Sequence, residues 1–171
     1  MADAAHRLRE GTASSHASVD KAFSAFDMTA RDGYGGFLLA MGRVLPGAER
    51  AVEGLVEARA DGLFSDLEAL GLARPHSVAF SPMTGAAAWG AAYVLEGSRL
   101  GAKVLERRVS ADLPRTFLSQ GHAGGGWAAF RARLNQAADG EAWIMAALAS
   151  ARDVFAAFEA AAAREEIMYD R

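Results

Sequence analysis

The chain has 171 residues, of which 51% are hydrophobic and 23% charged, and its formal net charge is -3. This balance is typical of a globular protein with a real core, and the weak negative charge gives no basic footprint for nucleic acid. Cysteine is absent, which excludes disulfides, thiolate metal sites and a cysteine nucleophile. The N-terminus does not look like a signal peptide and no apolar run is long enough to span a bilayer, so we expect a cytoplasmic protein without membrane partners.

Apolar residues recur with helical spacing, and no segment shows the period of two that half-buried strands require. The sequence therefore predicts an all-α chain that forms a single domain over residues 1–171. A frayed tail is expected over 164–171. The predicted helices cover residues 3–20, a segment from a Thr29 cap through Leu45, and then 48–58, 65–70, 81–108, 127–136 and 140–163.

The predicted helix over 81–108 is unusual because four glycines interrupt it. Each interior glycine costs ~1 kcal/mol relative to alanine. Gly97 and Gly101 lie about 400° apart around the axis, so they share one face. Such a bare face serves either close packing against another helix or the approach of a flat molecule to the backbone. The spacing alone leaves both alternatives open.

The first helix carries His16, and Arg9 lies seven residues earlier, which returns it to nearly the same face. An imidazole and a guanidinium about two turns apart suit heme, because the imidazole can ligate iron and the cation can pair with a propionate. A lone histidine on a serine-rich helix is more often an ordinary surface residue. Both interpretations of His16 follow from the residues alone.

Four stretches resemble, in the same order, segments of heme oxygenases of the bacterial type that accompanies bacteriophytochromes. They are LREGTASSHASVD, DLEALGL, YVLEGSRLG and WAAFRARLN. The resemblance implies an all-α fold with heme b between a proximal N-terminal helix and a kinked distal helix. It also implies an enzyme that cleaves heme, using O2 and electrons from a ferredoxin or flavoprotein, to biliverdin, carbon monoxide and ferrous iron. A bacteriophytochrome is the implied recipient of the bilin.

The resemblance also assigns roles to residues on the proximal side and at the heme edge. It implies that His16 is the axial ligand of the heme iron and that Asp20 orients its imidazole. Arg9 and Arg131 correspond to residues that bind the heme propionates. Tyr93 opens the distal motif and is implied to contact the heme.

On the distal side, the resemblance implies that Gly97 and Gly101 let the backbone approach the oxygen-binding face. Ser98 takes the position at which animal heme oxygenases carry an aspartate that orders a water molecule. The bacteriophytochrome-associated type also lacks that aspartate. We therefore expect Ser98 to belong to the catalytic segment, with Arg99 and His122 as further candidates for anchoring the water network.

Two other functions compete with the enzyme. A non-catalytic heme-binding or regulatory protein would retain His16 but lack a working water network. A helical interaction protein would bind no heme, and its histidine would be incidental. The fold class by itself does not decide among the three.

Overall fold

The structure, a computed structural model, describes residues 3–122 and 125–169. Over these ranges the chain is helical, and its only β-structure is an isolated bridge between Glu53 and Val56. None of the described helices is long and apolar enough to cross a membrane. The helices are α1 (Ala4–Gly11), α2 (Ala13–Phe23), α3 (Arg31–Ala51), α4 (Ala60–Ala69), α5 (Gly85–Glu106), α6 (Thr116–Ser119), α7 (Gly126–Ala137) and α8 (Gly140–Tyr169). The all-α prediction is confirmed.

Helix α8 contacts more of the other helices than most elements of the fold do. Helices α1, α2, α3 and α5 all pack against it. At the crossing with α5, a Cβ added to Gly90 would overlap the carbonyl of Ala147, so the two backbones are in close contact. Each large apolar side chain that is buried between the packed helices contributes ~1.5–3 kcal/mol to the stability of the fold. Fully buried examples from the core are Tyr34, Leu38, Leu45, Leu67, Leu95 and Phe117.

The helix predicted over residues 3–20 is divided into α1 and α2 at Thr12. Its backbone leaves the helical region, with φ -111° and ψ 4°, and its hydroxyl donates to the Leu8 carbonyl at 2.7 Å. The carbonyl of Gly11 instead accepts two hydrogen bonds from the Arg152 guanidinium of α8, at 3.1 and 2.8 Å. The prediction of one continuous helix is therefore wrong at Thr12, where one of the groups that contact the break belongs to the last helix.

Helix α3 passes through Pro46 without interruption and ends at Ala51. A proline in a helix leaves the carbonyl four residues earlier without its N–H donor. That carbonyl, on Gly42, accepts a hydrogen bond from the Ser77 hydroxyl at 2.8 Å. The predicted Thr29 cap is wrong, because Ala30 occupies the N-cap position and Thr29 donates to the Asp27 carboxylate instead.

Helix α4 begins at Ala60, five residues before the start of the helix predicted over 65–70, and the predicted helix over 48–58 is absent beyond Ala51. The Glu49 carboxylate supplies the missing cap from α3. It accepts the backbone N–H groups of Arg59 at 2.8 Å and Ala60 at 3.2 Å. An unsatisfied helix N-terminus is thus capped by a residue ten positions away.

The observed ends of α5 and the C-terminal end of α8 also differ from those predicted from the sequence. Helix α5 begins at Gly85 and ends at Glu106, inside the predicted span of 81–108. Helix α8 continues to Tyr169, so residues 164–169 are helical where fraying was expected. Glu165, only 3% exposed, pairs with Arg43 of α3 and holds this end. Asp170 and Arg171 of the expected tail lie outside the described residues.

Candidate functional site

Helices α2 and α5 both pack against α8, and we call the region between these two helices the cleft. At one end of the cleft, Thr12 at the start of α2 is next to Tyr93 of α5. At the other end, residues of α2 and of the end of α5 line a common cavity of about 220 Å³. This cavity is lined by Asp20, Phe23, Ser24, Met28, Phe37, Leu105 and Arg108. The segment of α2 that carries His16 and the segment of α5 that carries Gly97 and Gly101 lie between these two ends.

His16 is an accessible imidazole with one nitrogen already engaged. Its side chain is 63% exposed, and its Nδ1 lies 3.0 Å from a carboxylate oxygen of Asp20, one helical turn later. The edge of the ring packs against Phe155 of α8, with the ring centroids 5.8 Å apart. A carboxylate beside Nδ1 favours the tautomer with the proton on that nitrogen, which leaves the Nε2 lone pair for a metal.

Gly97 and Gly101 form an open strip on α5. A Cβ added to either glycine would meet no atom of the described residues within 4 Å. Two exposed apolar side chains on the same face, Leu100 at 48% and Val104 at 62%, extend the strip. The helix-packing interpretation is therefore wrong for Gly97 and Gly101, although it holds for Gly90 on the same helix.

Arg9 and Arg131, two of the residues predicted for the heme edge, are close enough to the phenol of Tyr93, the third, to affect its pKa. Burial raises the pKa of this phenol, while the Thr12 hydroxyl and the charges of Arg9 and Arg131 oppose the increase. Both arginines are exposed, and the Arg131 guanidinium donates to the Asp3 carboxylate at 3.0 Å. The cleft thus has a cationic edge at its Thr12 end.

Ser98 points its hydroxyl away from the open strip. The hydroxyl donates to the Leu95 carbonyl at 2.6 Å and accepts a hydrogen bond from Arg59. Because both partners lie toward the interior, this hydroxyl is part of a buried polar cluster on the other side of α5.

Arg59 is the centre of that cluster, and the sequence analysis did not identify it. The residue is 2% exposed, and burial lowers its pKa to about 10, with the neighbouring charge of Arg99 as the second cause. Its guanidinium donates to the Leu95 carbonyl at 3.2 Å and lies 5.2 Å from the centre of the Phe117 ring. No local pattern marks it, since its partners on α5 are more than thirty residues away.

The same side of α5 also carries a buried triad of Glu96, Arg99 and His122. The Glu96 carboxylate lies 3.3 Å from both the Arg99 Nε and the His122 Nε2. His122 Nε2 is also 2.9 Å from the Glu96 carbonyl oxygen, and Arg99 donates to the Gln120 carbonyl at 3.0 Å. Ser98, Arg99 and His122, the three predicted water-network candidates, therefore lie in one polar region behind the open strip.

Comparison with known proteins bears on the fold of the chain. No protein-family model matches it, and no curated protein does. Among solved structures it is similar to the NO- and CO-bound heme oxygenase from Neisseria meningitidis, with a TM-score of 0.82. The two chains are 23% identical, and the match covers 97% of this chain and 93% of that one. At this identity the likeness establishes the architecture, and the chain has the heme oxygenase fold.

Proposed function

We propose that the chain is a heme oxygenase, which converts heme, O2 and supplied electrons into biliverdin, carbon monoxide and ferrous iron. The observation that supports the proposal is that α2 carries an exposed imidazole beside a carboxylate, while α5 carries a glycine strip at which an added Cβ would meet no atom of the described residues within 4 Å. The shared fold supports the assignment without selecting the activity.

The residues of the cleft suit heme b. His16 offers Nε2 to the iron, and Asp20 holds the opposite nitrogen. On the facing helix, the absence of side chains at Gly97 and Gly101 lets a flat macrocycle approach the backbone. Bound heme would supply the iron that activates O2 and would itself be the substrate that is oxidised. Leu100 and Val104 offer apolar contact to the macrocycle.

Arg9, Tyr93 and Arg131 would bind the heme propionates at the Thr12 end of the cleft. Guanidinium groups pair with carboxylates through charge-assisted hydrogen bonds. Such anchoring would fix the rotation of the heme in the cleft. This rotation would determine which meso carbon is oxidised. For this, the ion pair between Arg131 and Asp3 would have to break, or Arg131 would have to bind Asp3 and a propionate at the same time.

The electron donor and the fate of the bilin are inferred from the sequence resemblance alone. We infer an external donor such as a ferredoxin or a flavoprotein reductase. The YVLEGSRLG motif resembles that of heme oxygenases that accompany bacteriophytochromes. Delivery of biliverdin to such a photoreceptor is therefore the proposed biological role.

A second candidate function is a heme-binding protein without turnover. One observation favours it: the Ser98 hydroxyl is already committed to Arg59 and the Leu95 carbonyl. It is then not directed at a water molecule on the oxygen side. A protein with this arrangement would bind heme through His16 and leave it intact.

The test is a hemin titration followed by ascorbate in air, read in the visible spectrum. The enzyme should show a Soret band that shifts on binding and then gives way to the absorption of biliverdin. A Soret band that persists would support the carrier, and no spectral shift at all would exclude both functions.

His16→Ala should lose the wild-type spectrum of the hemin complex. His6→Ala is the matched control, because His6 also faces a carboxylate one turn later, Glu10, at 3.4 Å and similar exposure. Removal of His6 should leave the spectrum unchanged. If His16→Ala gives the wild-type spectrum, His16 is not the ligand.

A further inference from the structure

The segment of α5 that carries the glycine strip is held from behind by side chains of other elements. With about 100° per residue, Leu95 and Arg99 lie on the side of the helix opposite Gly97 and Gly101. The Leu95 carbonyl receives the Arg59 guanidinium and the Ser98 hydroxyl. These contacts fall on one turn of the helix, directly behind the open strip.

Arg59 is itself firmly placed. Its backbone N–H donates to the Glu49 carboxylate at 2.8 Å, and its guanidinium lies over the Phe117 ring. It is thus connected to α3, to α6 and to α5 at the same time. A guanidinium with several donors in a fixed planar fork can join such groups in a way that no other side chain can.

Arg59 supports the glycine strip from behind together with Arg99, which donates to the Gln120 carbonyl, and Glu96, whose carboxylate contacts His122. No atom of the described residues lies within 4 Å of a Cβ added at Gly97 or Gly101, and glycines weaken a helix at each position they occupy. Movement of this turn toward or away from the cleft would change the distance between its backbone and a bound ligand. A shift of about 1 Å in such a segment is enough to change reactivity by a large factor.

We propose that Arg59 is a positioning residue that fixes the Gly97 to Gly101 turn of α5 by holding the Leu95 carbonyl and the Ser98 hydroxyl. This inference deepens the proposed function and rests on it for its catalytic consequence. Arg59 does not contact the cleft face and acts through α5. Its effect on the backbone is independent of whether heme is turned over.

The first test measures amide hydrogen exchange in the heme-free protein. Arg59→Met keeps the aliphatic stem and its packing but removes the donors. We expect exchange across residues 97–104 to become about tenfold faster, because charged hydrogen bonds are lost there, while the amides of α3 stay within about twofold. Unchanged exchange over 97–104, or an equal increase in every helix, would overturn the proposal.

Two further variants make this result interpretable. Arg74→Met removes another guanidinium that lies over an aromatic ring, that of Phe64, but Arg74 is exposed and lies over a residue of α4, not of α5. It should leave the exchange of residues 97–104 unchanged. Arg59→Lys keeps the positive charge but replaces the planar fork of donors with a single ammonium group. The increase in exchange over residues 97–104 should therefore be smaller than in Arg59→Met. If Arg59→Met does not fold, the exchange of Arg59→Lys can be compared with that of wild type instead.

The second test uses the hemin complex of the same variants. In Arg59→Met we expect hemin affinity within about threefold of wild type but bilin formation at least about tenfold slower, since His16 is untouched while the facing segment is loosened. Arg59→Lys should recover part of the rate. Equal loss of affinity and rate would point to a general structural role and contradict the proposal. If wild type forms no bilin while exchange over residues 97–104 is still faster in Arg59→Met, that result would contradict the proposed function but support the role of Arg59 in holding α5.

Discussion

Gly90 of α5 lies against the carbonyl of Ala147 on α8, so closely that a Cβ at Gly90 would overlap it. Seven residues later on the same helix, a Cβ added to Gly97 would meet no atom within 4 Å in the described part of the chain. The glycines of one helix thus have two different purposes. One allows two helices to cross, and the others leave a face of the cleft bare.

The two kinds of glycine predict opposite effects on stability. Gly90→Ala should lower the free energy of unfolding by about 2 kcal/mol, since a side chain there forces two backbones apart. Gly97→Ala should raise it by up to about 1 kcal/mol, because alanine is the better helix former and nothing obstructs its methyl group. Urea denaturation of both variants measures the difference. A Gly90→Ala variant as stable as wild type would contradict the close crossing.

The open strip predicts a site-specific effect of larger side chains. Gly101→Leu should fold with near wild-type stability and yet bind hemin at least about tenfold more weakly, since the leucine would occupy the space of the macrocycle. Lys103→Leu is the control, because it adds a leucine about 200° around the same helix. Hemin titrations compare the two. Equal affinities would place the ligand elsewhere.

The Asp20 carboxylate predicts a contribution to the iron ligand. Asp20→Ala should reduce hemin affinity by about 10–100-fold, as expected when the group that orients a ligating histidine is removed. Glu10→Ala removes the equivalent carboxylate beside His6, outside the cleft. It should change affinity by less than about twofold, since an exposed pair contributes little. If both variants behave alike, the contact between Asp20 and His16 is incidental.

Much of the cleft was predictable because its signals are local. The spacing of His16 and Asp20 along one helix, and of Gly97 and Gly101 along another, is visible in the sequence itself. Helical periodicity then determines the face on which each residue lies. The structure adds that these two helices both pack against α8 and that residues near their C-terminal ends line one cavity.

The residues that sequence analysis missed act over long distances in the chain. Arg59 binds Leu95 and Ser98, which are 36 and 39 residues away. Glu49 caps a helix that begins at Ala60, and Arg152 of the last helix donates a hydrogen bond to the Gly11 carbonyl. Such contacts depend on how helices pack, and no local pattern of residues encodes that packing.

The buried phenol of Tyr34 predicts a pH dependence of stability. Burial first, and then the nearby Asp66 carboxylate, raises the pKa of this phenol far above its ordinary value. Its hydroxyl lies 3.4 Å from that carboxylate. A group whose pKa is raised by folding stabilises the protein below its unfolded pKa, and this stability is lost as the pH rises beyond it.

Wild type should therefore lose stability above a pH of about 10, where the phenol ionises only in the unfolded chain. Tyr34→Phe should be about 1 kcal/mol less stable than wild type near neutral pH, since one buried hydrogen bond is lost. The difference should narrow as the pH rises above 10, by up to about 1.4 kcal/mol per unit. Urea denaturation at several pH values measures it. A difference that stays constant with pH would contradict the role of Tyr34.

The most direct test of the central claim is product analysis after a single turnover. Purified protein would be loaded with one equivalent of hemin, given a ferredoxin-based or ascorbate reductant in air, and extracted for chromatography. We expect biliverdin in an amount close to the hemin consumed, together with carbon monoxide, and we expect none from His16→Ala. Intact hemin, or bleaching of the heme without bilin, would contradict the assignment of the chain as a heme oxygenase.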